Sequence, residues 1–192
     1  TDTFKLATAA LALRPDRQRI ITDTFNFPTD LYILQGVVQL LSGLLPPPNP
    51  FFDLGEGRSG GHEIVSIDSR DGGITPDLDA LAEAINDDTA LVTFSHVTFK
   101  SGYRYDIQAV TEMAHRKGAL VLWDLCHSVG ITPIELDAWD VDFAVGCTYK
   151  YLNGGPGSPA FLYVNKKLQE QAHSPLNGWW GQKDPFAFGL DY

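Results

Sequence analysis

Little in this sequence points to a disulfide, a metal, a nucleic acid or a membrane. Cysteine occurs only twice, as Cys126 and Cys147, with no Cys-x-x-Cys spacing. That argues against both a disulfide framework and a zinc site, and it suits a reducing cytoplasm. Basic residues are few. The 14 lysines and arginines stand against 24 acidic residues, for a formal net charge of −10. Such a surface repels phosphate backbones, so no nucleic-acid partner is expected. No apolar run reaches the roughly 20 residues needed to cross a bilayer, and no signal-peptide pattern opens the chain, so no membrane partner is expected either. Internal repeats are absent.

What is present is apolar and patterned. Hydrophobic residues make up 44% of the 192 positions, with four tryptophans, enough for one good core. Residues 3–13 read as a helix ended by Arg14-Pro15-Asp16. A strand is expected over Arg19–Phe25. Beyond it, Leu31, Leu34, Val37, Val38 and Leu41 recur at helical spacing, with Thr29 as the expected N-cap. Residues 44–62 are rich in proline and glycine. The run from Gly55 to Gly61 resembles a phosphate loop, but it follows a helix and precedes a strand, the reverse of the required order, so a solvated insertion is expected. Glu63–Ile67 is a short strand, and Thr75-Pro76 opens a helix through Asn86 with proline at its first position. The remaining strands are Ala90–Ser95, Ala119–Trp123, Val141–Gly146 and Ser158–Val164. Asp106 caps a helix over Ile107–Lys117 that Gly118 terminates. Alternating strands and helices predict an α/β fold, a mainly parallel doubly wound sheet with helices on both faces. The direct passage through residues 147–157 adds one antiparallel strand.

Two stretches carry chemistry. The first is Cys147-Thr-Tyr-Lys-Tyr-Leu-Asn-Gly-Gly-Pro-Gly157, a glycine-rich turn between strands, where catalytic groups concentrate. Lys150 lies in it between Tyr149 and Tyr151. A lysine held among aromatics loses hydration, which favours its neutral, nucleophilic amine and condensation with carbonyls. The competing reading of this stretch alone is a lysine snorkelling from a strand end. The second is Ala119-Leu-Val-Leu-Trp123 followed by Asp124-Leu-Cys-His127. An acid ending a buried strand suits the ligand crevice of a parallel sheet. Pyridoxal phosphate needs both features, a lysine for its aldehyde and a carboxylate for its pyridine nitrogen.

These two motifs, with Asn26-Phe-Pro-Thr-Asp30, Thr98-Phe-Lys-Ser-Gly-Tyr103 and Gly178-Trp-Trp-Gly181, resemble the kynureninase family within the fold-type I, class V aminotransferase-like superfamily. The resemblance runs in order along nearly the whole chain. It implies pyridoxal 5′-phosphate as cofactor, held covalently by Lys150 with Asp124 on its ring nitrogen. It implies Phe27 stacked on the ring, with Pro28, Thr29 and a second carboxylate, Asp30, around it. Ser95 and His127 are implied cofactor contacts, with a strand-end hydroxyl and a core histidine as the alternatives. Tyr149 is implied near the phosphate and as a general acid. Trp179 is implied on the phosphate side, with an aromatic core residue as the alternative. Thr1 falls where the family carries a phosphate-binding threonine at a helix N-terminus, although Asp2-Thr3 departs from the usual pair there.

The implied activity is hydrolytic cleavage of L-kynurenine to anthranilate and L-alanine by a homodimer. The alternatives are another class V enzyme of desulfurase or transaminase type and a non-catalytic cofactor-binding relative, in which a lost lysine or aspartate would be expected. The family's chains are much longer. These residues are therefore expected to be the central part of a large cofactor-binding domain, without the N-terminal segment and the C-terminal small domain.

Overall fold

The computed structural model describes residues 1–42 and 61–190. Nearly all of the expected insertion over residues 44–62 lies outside the described residues. The elements in chain order are α1 (Asp2–Ala12), β1 (Arg19–Asp23), α2 (Pro28–Leu41), β2 (Glu63–Ile67), α3 (Leu78–Ala84), β3 (Thr89–Ser95), α4 (Ile107–Arg116), β4 (Leu120–Asp124), β5 (Phe143–Cys147) and β6 (Ala160–Val164). The strands form one sheet in the order β2-β1-β3-β4-β5-β6. All neighbours are parallel except β5 and β6, which pair antiparallel on either side of the lysine turn.

The central strands are apolar throughout because both faces are covered. All seven residues of β3 are buried. On one face Ile20, Leu91, Leu120, Leu122, Phe143 and Val145 pack with Leu6, Ala7, Ala10 and Leu11 of α1 and Leu34 and Val37 of α2. On the other, Ile21, Val92, Phe94, Val121, Trp123 and Ala144 pack with Leu81 of α3 and Ile107, Val110 and Ala114 of α4. Strand alternation therefore sends Ser95, Asp124 and Cys147 towards the α1/α2 face. Ser95 pairs in register with Asp124, so two polar residues sit side by side at the carboxyl ends of their strands. The chain passes from β2 over β1 to β3, which reverses the strand order between β1 and β3. The crevice beyond such a reversal is where open α/β sheets bind ligands.

The structure corrects two helix starts. Phe27, with extended backbone, is the N-cap of α2, and Pro28 takes the first helical position. Thr29 therefore lies inside the helix rather than capping it. Proline's fixed φ and missing N–H suit that first position, and this outweighs the local preference for a threonine cap. In α3 the cap is Asp77, whose carboxylate accepts the Ala80 N–H at 3.0 Å. Pro76 lies before the helix, in an antiparallel bridge with Ser69. Asp106 caps α4 as expected, accepting from Ala109 N at 2.9 Å. Gly118 follows that helix with φ of 72°.

Candidate active site

The lysine turn begins where β5 ends. Thr148 O accepts the Gly154 N–H at 2.8 Å, and Lys150 O accepts the Asn153 N–H at 3.0 Å, closing the loop on itself. Gly155 adopts φ of 77°, a conformation that suits glycine. The loop also rests on the chain after β4. A Cβ at Gly130 would lie 2.8 Å from Tyr151 O, so only glycine allows that approach. The aromatic surroundings of Lys150 differ from the sequence expectation. Its Nζ lies 5.5 Å from the Tyr149 ring centroid and 5.9 Å from that of Phe27. Among the described residues these are the two rings near the amine, so Phe27, brought in at the start of α2, stands where Tyr151 was expected. Phe27 is itself steadied edge-to-face by Phe99, with centroids 5.3 Å apart.

His127 stands opposite the lysine. Its Nε2 is 2.9 Å from Lys150 Nζ, and its Nδ1 is buried without a protein partner. Burial first, and then the lysine's charge, lower the pKa of this histidine, while Asp124 works the other way. A neutral imidazole next to an amine accepts its hydrogen bond. His127 is therefore neither a plain core histidine nor a surface one.

Two carboxyls complete the cleft. Asp124 Oδ1 accepts the Cys126 N–H at 2.7 Å, which fixes the turn after β4. Asp30, in the first turn of α2, is pushed up to about 7, mainly by burial and then by the charge of Asp124 and a hydrogen bond with it. Lys150 opposes this shift more weakly. Asp30 therefore holds a proton up to about neutral pH, in its hydrogen bond with Asp124. A cleft of about 260 Å³ is lined by Thr1, Asp30, Asp124, Cys126 and Cys147, among others. Thr1 is the N-cap of α1 and makes no side-chain capping bond, so free N–H groups of that helix open onto the cleft.

The shared proton has a consequence for stability without cofactor. A carboxyl with a raised folded pKa binds its proton more tightly folded than unfolded. Its stabilising contribution is full below the unfolded value and is lost as pH rises through about 7. Asp30→Asn removes that dependence. The cofactor-free variant should gain melting temperature relative to the parent as pH rises from about 5 to about 8. A difference that stays flat over that window would exclude the shared proton.

Behind the cleft is a network that sequence reasoning missed. Asp23, fully buried at the end of β1, accepts from Phe25 N and Asn26 N and from Tyr105 Oη, the last at 2.5 Å. Burial raises the Asp23 pKa against those donors. Asn26 donates to Thr22 Oγ1 and Thr93 O and accepts from Ser95 N at 2.5 Å. It thus ties the segment leading to Phe27 to the end of β3. The available signal was Asp23 itself, an acid closing an apolar strand just as Asp124 does. Ser95 Oγ is buried and has no hydrogen-bond partner among the described residues, so the local-backbone alternative for this hydroxyl is not what the structure shows.

The structure thus gathers Lys150, His127, Tyr149 and Phe27 around one amine, and Asp30, Asp124 and Thr1 around one cleft. Pro28 and Thr29 sit in the first turn of α2, with Thr29 exposed. Trp179 is not gathered in. Its indole donates to Pro185 O, and its ring contacts are with Trp180, Phe186 and Phe188, an exposed aromatic group sharing no residue with the cleft. The donor set suits pyridoxal phosphate. An amine, two neighbouring carboxyls, a half-exposed phenyl ring and two orphaned buried atoms, Ser95 Oγ and His127 Nδ1, face one end of the sheet.

The sequence pattern of the aminotransferase class-V family matches residues 57–180. The chain is 41% identical to a protein named kynureninase from Pseudomonas fluorescens, over 98% of this chain and 40% of that one. It is 42% identical to a kynureninase from Burkholderia mallei (strain SAVP1), over 96% of this chain and 39% of that one. The chain spans about two fifths of the length of these relatives. Among solved structures, the apo cysteine desulfurase from Thermococcus onnurineus NA1 superposes with a TM-score of 0.72 at 21% identity, over 92% of this chain and 39% of that one. The cysteine desulfurase CsdA from Escherichia coli superposes with a TM-score of 0.70 at 21% identity, over 92% of this chain and 40% of that one. At that identity the two desulfurases share the fold.

Proposed function

The chain belongs to the aminotransferase class-V family, and from that premise we propose that the protein is a pyridoxal-phosphate-dependent kynureninase. It adds water across the Cβ–Cγ bond of L-kynurenine, or of 3-hydroxykynurenine, giving anthranilate or 3-hydroxyanthranilate and L-alanine. The observation that carries this reading is the meeting of Lys150, His127, Asp30 and Asp124 at one end of the sheet, in a chain 41% identical to a protein of that name.

When bound, the cofactor supplies an aldehyde for an amine and a ring that draws electrons from the carbon beside that amine. Lys150 would hold the aldehyde, Asp124 and Asp30 the ring nitrogen, Phe27 the ring face, and Ser95 and His127 the ring's polar edge. The N-terminus of α1 at Thr1 offers unpaired N–H groups to the phosphate. The Lys150 amine is the base for the substrate's α-proton. His127 Nε2, 2.9 Å away, accepts a hydrogen bond from that amine and steadies it. The neighbouring ring of Tyr149 stands half exposed beside the amine, which supports its phenol as the group that delivers a proton.

Tyr149→Phe should therefore slow single-turnover cleavage by roughly 10²–10⁴ while cofactor binding survives. Lost cofactor affinity with intact single-turnover rates would reduce Tyr149 to a positioning group. The same reading carries a cytoplasmic homodimer, with the exposed aromatic group around Trp179 as apolar surface for a second copy to cover. Among the described residues no helix is long and apolar enough to cross a membrane. The test is to supply full-length protein with pyridoxal phosphate, add kynurenine or cysteine, and follow anthranilate by fluorescence. Turnover of cysteine without turnover of either kynurenine would overturn the assignment.

A further inference from the structure

A second cavity, of about 430 Å³, opens at the end of β3, beside the start of α4 and the segment before β5. It shares no lining residue with the cleft beside Asp124. It lies on the other face of the sheet, where His96 meets the Trp123 ring edge-on at 6.3 Å. Its walls include His96, Arg104, Asp106, Gln108, Pro133 and Trp139.

Three features mark it as built for a ligand. His96 is only 4% exposed, and its Nδ1 is buried without a hydrogen-bond partner. Buried polar atoms are rarely left so. Burial above all, then the charge of Arg104, brings the pKa of His96 down to about 4 against the charge of Asp106 and a hydrogen bond to the Tyr105 backbone, so the ring is neutral near pH 7. Arg104 is set at the rim by its backbone bridge to Val97. Its guanidinium makes no hydrogen bond or ion pair among the described residues. The other polar walls are already engaged. Asp106 accepts from Ala109 N, and Gln108 donates to Glu112.

We propose that this cavity binds a small carboxylic acid with an apolar body. Arg104 takes the carboxylate through its planar fork, with His96 beside it. Trp139, Pro133 and Ile107 receive the body, since such pockets are mostly apolar with few polar groups fixing orientation. The Asp106 carboxylate at the wall disfavours a dianion such as phosphate. This site stands apart from the proposed cleavage reaction and does not depend on it.

The probe is benzoate, with neutral benzamide as its control, titrated calorimetrically into full-length, cofactor-loaded protein. Benzoate should bind, and benzamide should bind at least about tenfold more weakly, as loss of a charge-assisted contact requires. Arg104→Gln, at an exposed position, should weaken benzoate by at least about tenfold, and Arg104→Lys by less. Gln108→Glu, also exposed, should weaken it by placing a second negative charge at the wall. Absent benzoate binding, equal binding of benzamide, or benzoate affinity unchanged in Arg104→Gln would each overturn the proposal.

Discussion

Lys150→Ala in the full-length protein should lose at least about 10⁴-fold in turnover of kynurenine, the upper end of what one proton-transferring group contributes. The loss is large because this amine has two roles in the proposed site, holding the cofactor and accepting the α-proton. Its surroundings point to the same conclusion. Nζ has His127 Nε2 at 2.9 Å and two aromatic rings within 6 Å, and among the described residues it forms no salt bridge to a carboxylate. A surface lysine with a structural role would instead show a carboxylate partner, as Lys167 does with Asp140 at 2.6 Å. Lys150→Arg retains the charge and the hydrogen bond to His127 but lacks a nucleophilic amine, so it should be as inactive as the alanine variant. Turnover within about tenfold of the parent in either variant would remove Lys150 from the chemistry.

Asp124→Asn should retain cofactor but lose about 10³-fold in the rate of α-proton removal. A unit charge about 4 Å from a protonated ring nitrogen is worth about 4 kcal/mol at an effective dielectric of 20, and each 1.36 kcal/mol is about tenfold. The asparagine oxygen can still accept the Cys126 N–H, so the turn after β4 survives the change. Asp30→Asn should cost far less, because the raised pKa of Asp30 leaves it less charge to lose. Single-turnover kinetics with both variants separate the roles. A mild Asp124→Asn with a severe Asp30→Asn would exchange them, and two mild variants would leave the ring nitrogen without a carboxylate partner.

The parts legible in the sequence are those whose signal is local. Runs such as Leu120–Trp123 are apolar without interruption because both faces of the sheet are covered. Each ends at a polar residue where the strand leaves the core, and this marked Asp124 and the start of the lysine turn. The antiparallel β6 followed from the shortness of the glycine-rich connection. What stayed hidden depends on partners far apart in sequence. Tyr105 reaches Asp23 across 82 positions, and Asn26 reaches Ser95 across 69. Neither tyrosine flanking Lys150 announces that the second ring near the amine is Phe27. The helix starts at Phe27 and Asp77 were misplaced because proline, threonine and aspartate compete for the same positions, and backbone geometry chooses among them. Trp179 sits within its own exposed aromatic group, whose partners Phe186 and Phe188 lie just after it in the sequence.

The measurement that tests the site most directly is reduction of the cofactor-loaded, full-length protein with borohydride, which fixes the cofactor to whichever lysine carries it, followed by mass mapping of the labelled peptide. The label should fall on Lys150, between Tyr149 and Tyr151. A label on Lys100, Lys117 or Lys183 instead would contradict the assignment of the Lys150 turn and of the cleft built around it.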